Sequence, residues 1–233
     1  NETGEGLLSG YRVLDLTEGG YLICGRLLAD MGADVIKIEP PGGSPSRNIG
    51  PFYKNHFHPE KSLIWFSYNL NKRGITLDIE KSDGVKIFTD LAKTADFILE
   101  SFTPGYLKNL GLGYADIASI NPRSIMVSIT PYGQNGPKAT YKATDISGFA
   151  SSGVLYATGT PDRPPVLLGY PLQASMQAGV EAVTAALIAN WDREQSGQGH
   201  HVDVSTQEAN IQLLQSLVEN YDMTGTDYQR AGN

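Results

Sequence analysis

Cysteine is almost missing from this chain. Cys24 stands alone among 233 residues, so no disulfide can form within it. A small buried apolar residue is the ordinary role of such a cysteine. No apolar run approaches the ~20 residues that a membrane span requires. Positive charge is also scarce. Lys and Arg number 18 against 25 Asp and Glu, for a net charge of −7. That balance argues against a nucleic-acid or anionic-membrane partner, although a local basic patch can still hold a phosphate. No G-x-G-x-x-G occurs, so a dinucleotide reading lacks its fingerprint. His56, His58, His200 and His201 match no metal-ligand spacing, and no metal is expected. Internal repeats and low-complexity tracts are absent. The first residues, Asn-Glu-Thr-Gly-Glu-Gly, are acidic and polar, unlike a signal peptide. A cytoplasmic, enzyme-like protein is the expectation that these absences leave.

What the chain does have is an ordinary globular composition, 40% hydrophobic and 18% charged. Strand and helix patterns alternate along it. Residues 11–16, 33–39, 74–78, 96–100, 124–130 and 200–204 read as strands. Leu22 to Met31, Ser82 to Thr94 and Tyr114 to Asn121 read as helices between them. A Gly-rich turn, Gly19-Gly20, follows the first strand. After Pro131 the chain turns rich in Gly, Pro, Ser and Thr, with a short apolar helix near 145–156. A long helix is predicted from about Leu172 to Arg193. A last one runs from a cap at Ser205 to about Tyr221, with Glu208 completing a capping box. This order predicts an α/β fold with an open, mostly parallel, Rossmann-like sheet flanked by helices.

Seven segments then stand in a telling order. They are Val13-Leu-Asp-Leu-Thr17, Leu28-Ala-Asp-Met-Gly-Ala-Asp-Val-Ile-Lys-Ile-Glu-Pro-Pro-Gly42, Asn71-Lys-Arg-Gly-Ile-Thr-Leu-Asp78, Glu100-Ser-Phe-Thr-Pro-Gly105, Leu110-Gly-Leu-Gly-Tyr114, Ser128-Ile-Thr-Pro-Tyr-Gly-Gln-Asn-Gly-Pro137 and Arg193-Glu-Gln-Ser-Gly-Gln-Gly-His-His-Val-Asp-Val-Ser205. In order and spacing they resemble the class III CoA-transferases of CaiB/BaiF type. The resemblance implies the large domain of a fold in which two chains interlock. It covers the whole chain but only about half of a typical member. Residues 1–204 are then expected to form the CoA-binding α/β domain. Residues 205–233 are expected to be a helix and linker leading toward the family's small domain.

By the same resemblance, the activity is transfer of CoA between carboxylic acids. An enzyme carboxylate attacks the acyl-CoA thioester, and CoA thiolate later attacks the resulting anhydride. Coenzyme A or acyl-CoA is the implied substrate. Its cradle maps to Gly19, Gly20, Pro40, Leu77, Asp78, Ser101, Phe102, Thr103 and the run from Lys142 to Asp145. Leu77 and Phe102 are expected to flank the adenine, and Lys142 to meet a phosphate. The family often has Asn-Phe-Arg where this chain has Ser101-Phe102-Thr103, so one cation is missing. Arg47, Lys72 and Arg73 are candidates to replace it.

The departure that matters most lies at Gly169-Tyr-Pro-Leu-Gln-Ala-Ser-Met-Gln-Ala-Gly179. This stretch carries the family's catalytic aspartate. Counted from upstream anchors it falls at Ala174; counted from downstream ones, at Ser175. Neither forms an anhydride, and no base is evident in sequence beside Ser175. Tyr170, Gln173 and Gln177 are left to hydrogen-bond a carboxylate. Thr144 stands where the racemase branch has histidine, so both bases of a two-base proton transfer are missing. The expectation is a non-catalytic subunit of a heteromeric transferase, with a homologous CoA-transferase subunit as its partner in an interlocked homo- or heterodimer. The alternatives are an active transferase or lyase with a different nucleophile, or a CoA-binding structural homologue.

Overall fold

A computed structural model describes residues 6–169, 172–230 and 232. Its centre is one six-stranded sheet: β1 (Arg12–Leu16), β2 (Asp34–Glu39), β3 (Arg73–Thr76), β4 (Phe97–Glu100), β5 (Ile125–Thr130) and β6 (His201–Ser205). The strands lie in the order β3-β2-β1-β4-β5-β6, and each neighbouring pair is parallel. The order reverses direction between β1 and β4. In open α/β sheets that reversal opens a crevice outside the carboxyl ends of the strands.

Sequence dictates why both faces are covered. In β1, Val13 and Leu14 point to opposite sides, and each is fully buried in a different cluster. On one face lie α1 (Leu22–Asp30) and α7 (Gln173–Ser196). Ala174, Ala178, Ala182 and Ala186 recur every fourth residue along α7 and are fully buried. These small side chains let a 24-residue helix lie close against the sheet and α1. On the other face lie α3 (Ser82–Ala92), the single turn α4 (Tyr106–Asn109) and α5 (Tyr114–Ile120), packed through Phe88, Leu107 and Ile117.

The strands lie within about two residues of their sequence limits, as do α3 and α5. Three differences stand out. A short helix, α2 (Leu63–Tyr68), occupies a stretch without predicted structure. It is too short to display a period, and its cap is Ser62, whose Oγ accepts from the Trp65 N–H at 3.1 Å. The helix near 145–156 is α6 (Asp145–Ser152), closed by Gly153 in the left-handed region at φ 87°. The last predicted helix is broken. α8 (Thr206–Ile211) and α9 (Gln215–Thr224) are separated by a tighter turn at Gln212–Leu214. Ser205 does cap α8, accepting from the Glu208 N–H at 3.3 Å.

Candidate functional site

Two cavities at the strand ends gather most of the sequence-predicted residues. The first, about 320 Å³, is lined by Gly19, Gly20, Ser101, Asp145, Ala174 and Ser175, with Glu18 and Thr206. The second, about 560 Å³, includes Pro40, Leu77, Asp78 and Phe102, and shares Glu18 with the first. Thr103 lines a third, with Glu100 and His201. Lys142 is exposed and lines none of them. Tyr170 lies outside the described residues.

The turn after β1 is built for close approach. Ser101 Oγ, from the turn after β4, accepts from the Glu18 N–H at 3.0 Å, and Ser46 Oγ accepts from the Gly19 N–H at 2.7 Å. Gly19 sits at φ 61°, where glycine carries little strain. A Cβ at Gly20 would collide with Ser175 Oγ and stand 2.7 Å from the Leu172 carbonyl oxygen. Only glycine lets this turn rest on the start of α7.

Between the two candidate positions of the missing aspartate, Ser175 carries the polar group at the cavity. Ala174 is fully buried beside Phe149 and Val154, and its carbonyl accepts from Asn210 Nδ2 at 3.0 Å. Ser175 does have a carboxylate beside it, contrary to the sequence expectation. Asp145, the first residue of α6, receives the Ser175 N–H at 3.1 Å and its hydroxyl at 3.3 Å, both on Oδ1. The second oxygen, Oδ2, is buried without a hydrogen-bond partner. The pair is 30 residues apart in sequence, so only the packing of α6 on α7 brings it together. Gln173 and Gln177 turn away, toward Met176 Sδ and Glu181 Oε1.

Three further corrections concern the cations. Arg47 gives two hydrogen bonds to Glu39, at 2.6 and 2.9 Å, and one to Glu60 at 2.7 Å. Arg73 donates twice to Asp34 at the edge of the sheet, at 2.8 and 2.7 Å. Lys72 is buried: its Nζ donates to Asp15 Oδ2 at 2.7 Å and the Leu22 carbonyl at 2.9 Å. All three are committed to carboxylates and line neither of the first two cavities.

Glu18 is held by three donors on one oxygen: Ser44 Oγ at 2.5 Å, the Ser46 N–H at 3.3 Å and Ser46 Oγ. Its other oxygen faces the buried Lys37 ammonium at 3.7 Å. Burial pushes the Glu100 carboxyl up to about 7, against hydrogen bonds from Ser128 and the Phe102 N–H. Burial also lowers His201, whose Nε2 lies 2.9 Å from Ser128 Oγ and whose ring stacks on Tyr114. Sequence reasoning gave no role to Glu18 or Glu100. Their positions directly after β1 and at the end of β4 were the available signal.

The glycine-lined pocket at the sheet's reversal point lies in a chain that one family profile matches almost throughout. The profile of CoA-transferase family III matches residues 8–233. The chain belongs to CoA-transferase family III. Among curated relatives of this family, it is 38% identical to succinyl-CoA–D-citramalate CoA-transferase of Chloroflexus aurantiacus, over 97% of this chain and 56% of that one. It is 36% identical to subunit BbsE of succinyl-CoA:(R)-benzylsuccinate CoA-transferase from Thauera aromatica, over 93% of this chain and 53% of that one. The chain therefore spans a little over half the length of these family III relatives. Among solved structures, a CAIB/BAIF family protein from Brucella suis superimposes with a TM-score of 0.90 at 31% identity. That match covers 98% of this chain and 61% of the other.

Proposed function

We propose that this chain is the CoA-cradling subunit of an acyl-CoA:carboxylate CoA-transferase, with the nucleophilic carboxylate carried by a homologous partner chain. One observation carries the reading. Ser175 and Ala174 stand on the wall of a cavity of the right kind, and residues 172–179 offer it no ionisable side chain. The chemistry makes that loss decisive. An enzyme carboxylate turns a thioester into an anhydride, which is as activated as the bond it replaces. A serine hydroxyl gives an ester, from which return to a thioester is uphill. In this reading the thioester end enters the first cavity and the adenosine end the second, across their shared wall at Glu18. Lys142, three residues before Asp145, meets the diphosphate. Residues 1–204 form the CoA-binding domain, and 205–233 lead toward a further small domain. The similarity to a protein named as a transferase subunit supports a heteromeric assembly.

The test is isotope exchange between succinyl-CoA and labelled succinate. The purified chain alone should exchange no label. Co-assembled with a homologue that has aspartate at the position of Ala174 or Ser175, it should. Exchange by the chain alone, free of any homologue, would overturn the subunit reading. One observation favours a second reading, in which the chain is active by itself. Asp145 places a carboxylate with one unpartnered oxygen beside Ser175. Loss of solitary exchange in Asp145→Asn would support that reading.

A further inference from the structure

Two exposed surfaces of this chain are apolar and carry free charges of opposite sign. The first is the closed loop 49–62 together with α2. The loop's ends meet at an antiparallel bridge between Phe52 and Ser62, and the Ser62 hydroxyl donates to the Ile49 carbonyl at 2.5 Å. Phe57 packs edge-on against Phe52, with centroids 5.0 Å apart, yet stays 65% exposed. Tyr53 on the loop, and Leu63 and Phe66 on α2, are exposed too. Lys54 and Asn55 both sit at φ 54°, in the left-handed region. Backbone held in that region gathers at ligand clamps and functional loops. Between Arg47 and Arg73 the only acid is Glu60, and Arg47 donates to it at 2.7 Å. Lys54 and Lys61 face no carboxylate within ion-pair distance among the described residues. The free charge of this surface is therefore positive.

The second surface is α9. A ten-residue helix is marginal in water unless it packs an apolar face, and α9 buries none of its residues. Val218 and Tyr221 lie three apart on one side of it, and Val218 is 65% exposed. Glu219 and Asp222 flank them, and neither has a cationic partner among the described residues. No Lys or Arg occurs between Arg193 and Arg230. The free charge here is negative. An anionic membrane would suit the aromatic loop but would repel α9. One occupant satisfies both surfaces, namely a second copy of the chain.

We infer that α9 of one copy lies across the loop 49–62 and α2 of a second copy, which returns the same contact. Val218 and Tyr221 then cover Phe57 and Phe66, while Glu219 and Asp222 meet Lys54 and Lys61. Exposed aromatic anchors rimmed by complementary charge are the usual make-up of such a contact. The inference stands apart from the CoA-cradling reading. It needs neither ligand nor nucleophile, and the failure of either one leaves the other in place.

The experiment is sedimentation velocity of the chain at low salt, where a dimer is expected. The double variant Lys54→Glu with Lys61→Glu should dissociate about tenfold more readily, and so should Glu219→Lys with Asp222→Lys. All four side chains are exposed, so neither pair of substitutions disturbs packing. An equimolar mixture of the two double variants should recover the dimer, because each loop then meets a helix of opposite charge. A chain that sediments as a monomer throughout would overturn the inference. So would a dimer indifferent to both double variants, or a mixture that stays dissociated. Pelleting of the monomeric chain with phosphatidylserine vesicles, lost in Lys54→Glu with Lys61→Glu, would give the loop to a membrane instead.

Discussion

Glu100 shows how a single residue's surroundings become a measurable property. It ends β4 at 5% exposure, its Oε2 accepting from the Phe102 N–H at 2.7 Å. Burial is the largest influence on its carboxyl and carries it from 4.5 to about 7, with the Asp203 charge adding to the rise. Between those two values the folded chain holds a proton that the unfolded chain has released. Stability therefore falls as pH rises through that window, by roughly 3 kcal/mol at most. Urea unfolding from pH 5 to pH 8 should show this fall. Glu100→Gln should flatten it, because the amide cannot ionise. Identical slopes in the two proteins would contradict the assignment. The residue scale is also where sequence was least legible. Ser175 and Asp145 were each in view, yet nothing in their spacing says that they touch. Their hydrogen bond is a product of α6 lying on α7, not of either segment's own pattern.

Elements were legible where hydrophobic period and length were strong. Near-continuous apolar runs such as Ile125–Thr130 mark strands covered on both faces. The long alanine-rich α7 was placed within about three residues. α2, α4 and the break at Gln212–Leu214 were missed, since one or two turns carry no periodic signal. The tie between elements was missed as well. Lys72, in the turn before β3, crosses to Asp15 on β1 and to the carbonyl of Leu22 at the start of α1. Burial alone would raise Asp15, but Lys72 and Lys37 hold it below the usual carboxylate range. Removing the lysine takes away the ion-pair partner of a fully buried carboxylate and leaves it only Thr17 and the more distant Lys37. Lys72→Met should cost about 3–5 kcal/mol. The double variant Asp15→Leu with Lys72→Met should recover part of that loss, because it removes both charges. Chemical denaturation of the three proteins decides this; equal stability of wild type and Lys72→Met would refute the tie.

At the scale of the whole molecule, an all-parallel sheet reverses order beside β1 and places two cavities at one crevice. The family framework was legible in seven segments because it is made of local sequence. The surroundings of the candidate site were less legible, because they depend on which cations are spent on carboxylates elsewhere. Arg47, Lys72 and Arg73 are all spent in that way. The outcome is a family III domain whose first cavity is lined by Ala174 and Ser175, the two positions where the resemblance puts the family's aspartate. The most direct measurement is covalent trapping. The purified chain is incubated with succinyl-CoA and hydroxylamine, then digested and analysed by mass spectrometry. The account predicts no hydroxamate on any aspartate or glutamate of this chain, and a hydroxamate on the partner's aspartate once the two are combined. A hydroxamate at Asp145 in the chain alone would contradict it.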